Sequence, residues 1–105
     1  MKLKDVEFNR IAKALADPQR REILEKLAAT RELCGAELVE QFEVSQPTIC
    51  HHMKELAGAG LVERRKDGQF VYYSFQSEVM AAYLAELQQR LGLPASPERT
   101  PSKAR

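Results

Sequence analysis

Apolar residues recur at helical spacing in five stretches of the chain, and this pattern predicts five helices. The predicted spans are residues 5–15, 18–29, 35–42, 46 or 47 to 58, and 77–91. The apolar positions expected to face inward are Val6, Ile11, Ala14 and Leu15 in the first helix, Ile23, Leu24 and Leu27 in the second, Leu38, Val39 and Phe42 in the third, and Ile49, Met53 and Leu56 in the fourth. In the fifth helix a broad apolar stripe is formed by Val79, Met80, Tyr83, Leu84, Leu87 and Leu91. The fold is therefore predicted to be mainly α.

Local signals mark where these helices begin and end. Asp17, followed by a proline, is predicted to cap the second helix, because a side-chain oxygen satisfies a free N–H and proline has none to satisfy. Ser45 and Ser77 are predicted to cap the fourth and fifth helices in the same way. Gly58 and Gly60 are predicted to end the fourth helix, since glycine readily adopts the left-handed conformation of a helix stop.

After Gly60 the hydrophobic period changes from 3.6 residues to 2. Extended runs over residues 61–66 and 69–75 flank Asp67-Gly68, and Asp-Gly between two such runs indicates a β-hairpin. A shorter extended piece is predicted at residues 32–34. A hairpin that follows a DNA-reading helix is a wing, and basic side chains near its tip suit contacts with phosphates or the minor groove. A hairpin kept soluble by surface charge would show the same basic residues, which here are Arg64, Arg65 and Lys66.

The composition describes one small globular domain. The chain has 105 residues, of which 44% are hydrophobic and 30% charged, enough for a single modest core. We expect residues 1–91 to form this domain, and residues 92–105, with three prolines, to form a disordered tail. No apolar run approaches the roughly 20 residues that span a bilayer, and the N-terminus lacks a signal-peptide core. We therefore expect a cytoplasmic protein whose two cysteines are reduced.

The third and fourth helices, joined by a short turn at Glu43-Val44, form a helix-turn-helix pattern. The fourth helix combines a capped first turn with a polar face, which is what a helix entering the DNA major groove requires. An ordinary amphipathic helix with a solvated polar face fits the periodicity equally well. The formal net charge of +1 indicates no general affinity for nucleic acid, so DNA binding depends on where the charges lie. No recognisable catalytic motif or phosphate loop is present, so we expect neither an enzyme nor a cofactor.

Two motifs resemble the ArsR/SmtB family of bacterial transcription factors. The first, ALADPQRREIL at Ala14–Leu24, is similar to the family's opening motif, and the second, SQPTICHHMKEL at Ser45–Leu56, is similar to its recognition helix. The following GLV and the DGQFVYYSF hairpin match as well, so the resemblance covers about residues 8–91. It implies a winged helix-turn-helix homodimer that binds a palindromic operator in double-stranded DNA, usually as a repressor, and that dimerises through its first and last helices. The apolar stripe of the last helix independently suggests such a dimer, because a short chain has little room to bury it.

The resemblance also implies which residues contact DNA. Ser45 and Gln46 would meet phosphates or base edges from the start of the fourth helix. Thr48 and His51 would face the groove, and His52 would bond either a phosphate or a neighbouring helix. The two adjacent histidines project about 100° apart and do not easily chelate one ion. The full predicted DNA-binding set is Ser45, Gln46, Thr48, His51, His52, Lys54, Arg64, Arg65 and Lys66.

Many members of that family release DNA on binding a metal or metalloid, but this chain does not match their usual sites. Cys34 matches the first cysteine of the arsenic-sensing pair, whereas Ala36 replaces the second, which leaves one thiolate where a soft ion needs two or three. The last helix has no His or Asp, so the family's zinc site is also missing. Cys50 lies near the start of the fourth helix, whose dipole favours a thiolate. Inert, partly buried side chains are the simpler interpretation of both cysteines.

Three functional hypotheses follow from these observations. The first is a dimeric repressor that binds a palindromic operator without a standard metal site. The second is a repressor that responds to arsenite or to thiol oxidation through Cys34, Cys50 or both. The third is a protein-interaction module that keeps the fold and has lost DNA binding. A gel shift with DNA from upstream of the gene separates the first hypothesis from the third.

Overall fold

The computed structural model describes residues 1–94, which form five helices and a three-stranded antiparallel sheet. The elements are α1 (Asp5–Leu15), α2 (Pro18–Ala28), β1 (Leu33–Cys34), α3 (Gly35–Phe42), α4 (Gln46–Gly58), β2 (Val62–Asp67), β3 (Phe70–Phe75) and α5 (Ser77–Leu91). Helices α3 and α4 form the helix-turn-helix, and strands β2 and β3 form the hairpin, which we call the wing. The predicted fold class, a mainly α winged helix-turn-helix, is confirmed.

The starts of α2 and α4 follow the capping signals in the sequence. Oδ1 of Asp17 accepts hydrogen bonds from the main-chain N–H groups of Gln19 and Arg20, at 2.8 and 3.1 Å. The hydroxyl of Ser45 accepts one from the N–H of Thr48 at 3.3 Å. A cap of this kind stabilises a helix by about 1 kcal/mol, which fixes where each of the two helices begins.

Two predictions about helix positions were wrong. Ser77 does not cap α5: it is the first helical residue, and the N-cap is Gln76, whose side chain makes no capping hydrogen bond. The predicted inward position Val6 is 69% exposed, whereas Phe8 is buried. Two residues turn a helix by about 200°, so these two side chains lie on opposite sides of α1. The buried side of α1 is therefore the one that continues from Phe8 to Ile11.

A tight turn joins α3 to α4. The residue after α3, Glu43, has φ 53° and ψ 44°, and is the one non-glycine residue of positive φ within residues 1–94. The left-handed conformation costs a residue with a side chain roughly 1–2 kcal/mol. The chain accepts this cost because the turn brings the buried side of α3, at Leu38, against that of α4.

The sheet has the strand order β1-β3-β2, so β3 lies in the centre. In the wing, Val62 pairs with Phe75 and Asp67 pairs with Phe70. The two-residue turn is therefore Gly68-Gln69, one position later than the Asp-Gly signal indicated. Gly68 has φ 63° at the first turn position, where a type II′ hairpin requires glycine.

The core orients α4 within the fold. Its predicted inward residues Ile49, Met53 and Leu56 are at most 2% exposed, as predicted. Burial of each such side chain is worth about 1.5–3 kcal/mol, so rotation of α4 about its axis would be strongly unfavourable. The other large side chains that are almost completely buried come from α1, α2, α3 and the residue before β2: Ile11, Ile23, Leu27, Leu38 and Leu61.

Helix α5 covers the core only in part, since none of its residues is buried. Its outer side keeps Leu84 and Leu91 50% and 63% exposed. Arg90 ties this helix to α1, because its guanidinium donates to Oδ1 of Asp5 at 2.6 Å and lies 4.0 Å from the ring centre of Phe8. Helices α1 and α5 are thus in direct contact through Arg90, Asp5 and Phe8.

The left-handed Gly92, with φ 69°, ends α5. The predicted disordered tail, residues 92–105, lies outside the described residues from position 95 onward. Between residues 1 and 94, no helix has the length and apolar character needed to cross a membrane.

Candidate nucleic-acid interface

Helix α4 presents one accessible polar face. Its buried stripe points inward, so at about 100° per residue the opposite side carries Pro47, His51 and Lys54, all of them exposed. Gln46 and Thr48 flank this side near the start of the helix, the first exposed and the second partly exposed. Gln46 and Thr48 lie about 200° apart around the helix, so they flank this side from opposite edges, and His51 and Lys54 are the two predicted α4 contacts that share it. No described part of the chain covers this surface.

The first turn of α4 is organised around its N-cap. The hydroxyl of Ser45 lies 2.9 Å from that of Thr48 and also accepts the Thr48 N–H. The remaining N–H groups of the first turn, with the positive end of the helix dipole, can attract a phosphate. Ser45 thus serves first to position the end of the helix that would approach DNA.

His52, one of the predicted DNA contacts, does not lie on the accessible face. It is 6% exposed and points toward the start of α2. Its Nε2 lies 2.9 Å from Oε1 of Gln19, and its Nδ1 lies 3.5 Å from a guanidinium nitrogen of Arg20. Of the two roles predicted for His52, the contact with a neighbouring helix is the one found, because the side chain faces away from solvent.

The contacts of His52 suit the neutral imidazole. With the proton on Nε2, the ring donates to Gln19 and its Nδ1 accepts from the Arg20 guanidinium. Burial lowers the pKa of His52, the nearby Asp17 carboxylate opposes this effect, and the charges of Arg20 and His51 reinforce it. Protonation would place an N–H against a cation that has no lone pair to accept it. The structure therefore favours neutral His52 at pH 7.

This burial predicts a pH-dependent stability. Because the folded-state pKa of His52 lies below its ordinary value of 6.5, the unfolded chain binds the proton more tightly. The free energy of unfolding should be unaffected by His52 above about pH 7 and should fall as the pH drops through 6. Urea unfolding of the wild type and of His52→Gln between pH 5.5 and 7.5 measures the difference. A wild type that loses no more stability than the variant on acidification would contradict the account.

The wing separates its three cations into two groups. The guanidinium of Arg65 donates to both carboxylate oxygens of Glu32, at 2.9 and 3.0 Å, and lies 4.6 Å from the ring centre of Tyr72. The hydrogen bonds from Arg65 lower the pKa of Glu32. Arg64 and Lys66 are exposed and make no ion pair within residues 1–94. These two are therefore the wing cations with charge available to a phosphate, whereas the charge of Arg65 is paired with that of Glu32.

Cys34 and Cys50, which the sequence left unrelated, line the same cleft. This cleft, which we call the wing cleft, holds about 980 Å³ between α4, the start of α3 and the inner side of the wing. Cys34 is the N-cap of α3 and is partly exposed, whereas Cys50 is exposed on α4. Both thiols are free of disulfide bonds.

The described residues contain no cluster of metal-ligating side chains. Within residues 1–94, no group of three or more His, Cys, Asp or Glu side chains could hold an ion together. The rings of His51 and His52 have centres 6.0 Å apart, and only the first ring is exposed. These two histidines therefore differ in role despite being adjacent.

The sequence did not indicate the partners that fix His52 and Arg65. Gln19 lies 33 positions before His52, and Glu32 lies 33 positions before Arg65. No local spacing relates such pairs, because helix and strand periodicity concerns neighbours within one element. Asp17-Pro18 was a usable signal for where α2 begins, but not for what its first turn contacts.

Comparisons with known proteins agree with this geometry. The family described as "Bacterial regulatory protein, arsR family" matches residues 17–64. The arsenical resistance operon repressor of Staphylococcus xylosus is 45% identical over 74 residues, which are 70% of this chain and 70% of that protein. The transcriptional repressor SdpR of Bacillus subtilis is 36% identical over 73 residues, 70% of this chain and 80% of that protein. An ArsR-like transcriptional regulator from Rhodococcus sp. RHA1 matches in structure with a TM-score of 0.72 and 29% identity, over 83% of this chain and 80% of that one.

The family match at residues 17–64 runs from the cap of α2 into the wing and includes the whole helix-turn-helix. The sequence relatives are named as repressors, and the structural relative has the same architecture. The chain therefore belongs to the arsR family of bacterial regulatory proteins, as a DNA-binding transcriptional repressor and not an enzyme.

Proposed function

We propose that this protein binds a palindromic operator in the cytoplasm as a homodimer, and that it does so without a standard metal site. The observation that carries the proposal is the accessible polar face of α4 beside two wing cations that form no ion pair within residues 1–94. A face of this kind is stable in water but also suits the major groove, where side chains read base edges and flanking cations contact phosphates. In this arrangement His51 reads a base edge, and Arg64 and Lys66 hold the DNA backbone.

The proposed dimer uses α1 and α5. Val6 is exposed on α1, Leu84 and Leu91 are exposed on α5, and none of the α5 residues is buried within the described chain. Large apolar side chains that are clustered and exposed mark surfaces of association. A two-fold axis through such a surface makes it self-complementary and places two copies of α4 on one side of the dimer. The palindromic operator follows from that symmetry.

DNA binding is tested with a duplex taken from the region upstream of the gene, by fluorescence anisotropy across a range of salt concentrations. If each protomer uses Arg64 and Lys66 on phosphates, the dimer makes four such contacts, and the logarithm of affinity should fall with that of salt with a slope of about −4. A scrambled duplex should bind far more weakly at every salt concentration. Equal affinity for both duplexes would favour a non-specific binder, and no binding at low salt would favour the interaction module.

A repressor that responds to thiol chemistry is the second candidate, and the shared cleft favours it. Arsenite or an oxidant that reacts with Cys50, Cys34 or both would add bulk between α4 and the wing, the two elements proposed to contact DNA. Under this hypothesis arsenite or oxidant lowers the operator affinity of the wild type but not that of Cys50→Ser. An identical response from both proteins would leave Cys50 without a sensing role.

A further inference from the structure

The wing cleft has the size of a small-molecule site. Its volume of about 980 Å³ falls in the range of roughly 300–1,000 Å³ typical of ligand pockets. Helix α4 lines one side of the cleft and the wing lines the other, and residues at the N-terminal end of α3 also line it. A molecule in this cleft would touch both elements that we propose contact DNA.

The walls of the cleft are largely apolar. Val39 and Val71 are partly buried, Ala57 lies on the α4 side, and Phe70 near the wing tip is about half exposed. An apolar group that covers this ring and the aliphatic side chains beside it gains about 25 cal/mol for each square ångström of apolar surface removed from water. The cleft therefore offers a binding surface for a hydrocarbon or aromatic group.

The charged side chains that line the cleft all have the same sign. Arg10 from α1, Lys54 from α4 and Arg64 from β2 line it, and no Asp or Glu does. The whole chain has 16 Lys and Arg and 15 Asp and Glu, which is nearly balanced. Three cations and no carboxylate in the cleft are therefore a local excess of positive charge. None of the three forms an ion pair within residues 1–94. A cleft lined by three cations and no carboxylate attracts an anion.

We propose that the wing cleft binds a small amphipathic organic anion, whose carboxylate is attracted by the cations that line the cleft and whose apolar part lies against the valines and Phe70. The polyanion DNA would satisfy the cations as well, but a phosphate backbone offers nothing apolar to cover these side chains. A carboxylate with a hydrocarbon or aromatic body satisfies both features. Bound there, it would hold the wing at a fixed distance from α4 and alter the affinity for DNA.

The two thiols of the chain allow the proposal to be tested without DNA. Cys34 and Cys50 are the chain's only cysteines, and both line the cleft. A bound molecule should therefore slow the alkylation of Cys50 by neutral iodoacetamide, which is followed by mass spectrometry. The probes are octanoate and 2-naphthoate, each compared with its neutral amide and with inorganic phosphate. We expect the carboxylates to protect Cys50 at a concentration roughly fivefold lower than their amides.

Arg10→Gln supplies the matched variant, because Arg10 lines the cleft but is not among the proposed DNA contacts. It should raise the carboxylate concentration needed for half-protection by roughly fivefold. Lys13→Gln removes the same charge from α1 at a position outside the cleft and should leave that concentration unchanged.

Three results would overturn the proposal: equal protection by acids and amides, protection by phosphate as effective as by the carboxylates, or no protection by any probe. Because every measurement uses the protein alone, such a failure leaves the proposal of DNA binding unaffected. A loss of DNA binding would likewise leave this site intact.

Discussion

Leu84→Glu is expected to convert the protein to a monomer and to lower operator affinity by about 100-fold or more, because two linked copies of α4 gain that much from binding together. Leu84 is 50% exposed on the outer side of α5, so a carboxylate there is solvated in the monomer and leaves the fold intact. In the proposed dimer the same carboxylate would be buried against apolar side chains of the partner without a counter-ion, which is strongly unfavourable. Sedimentation velocity measures the association, and anisotropy with the operator measures the affinity.

Gln89→Glu provides the control for added charge. Gln89 is exposed on the same helix, but lies about 140° around its axis from Leu84. The control variant should remain a dimer with wild-type affinity. If Leu84→Glu also stays dimeric and keeps its operator affinity, the outer side of α5 is not the interface, and the proposed arrangement of the two copies of α4 is wrong.

His51→Ala is expected to relax sequence preference at one base pair in each half-site. The imidazole is exposed on the middle of the accessible face of α4, where it can exchange hydrogen bonds with a base edge in the major groove. Loss of one such contact should remove about 1–3 kcal/mol of discrimination at that position while changing affinity little at the others. The measurement is affinity for a set of operator duplexes in which each position carries each base in turn.

Arg64→Ala is the comparison that distinguishes a base-specific contact from a contact with the phosphate backbone. Its loss should weaken binding to every duplex by a similar factor and reduce the salt slope by about 2 for a dimer, since each protomer gives up one phosphate contact. A uniform loss from His51→Ala, indistinguishable from that of Arg64→Ala, would mean that His51 contacts the backbone instead of a base.

Much of the framework could be predicted from local sequence because local interactions determine it. The Asp17 and Ser45 caps set the starts of α2 and α4, and the spacing of Ile49, Met53 and Leu56 defined the buried side of α4. These signals depend on neighbours within one turn, so they can be recognised without the rest of the fold. The exposed face of α4 follows directly, since it is the side opposite the buried stripe.

Other features depend on contacts between distant parts of the chain and could not be predicted in that way. From the sequence, His51 was predicted to face the groove, whereas His52 was left between a phosphate and a neighbouring helix. Only the fold shows that His51 faces solvent and that His52 faces α2. Arg65 looks like Arg64 in sequence, yet strand alternation places them on opposite sides of the wing, one beside Glu32 and the other in the cleft. Which of these residues contact other parts of the fold and which stay accessible is thus determined by the tertiary structure.

The central claim, that a pair of α4 helices related by two-fold symmetry lies in successive major grooves, is tested most directly by hydroxyl-radical footprinting of the DNA upstream of the gene. We predict two protected segments of matching, inverted sequence whose centres are about one helical turn, roughly 10 base pairs, apart. An unprotected region, or a single protected segment without an inverted partner, would contradict it.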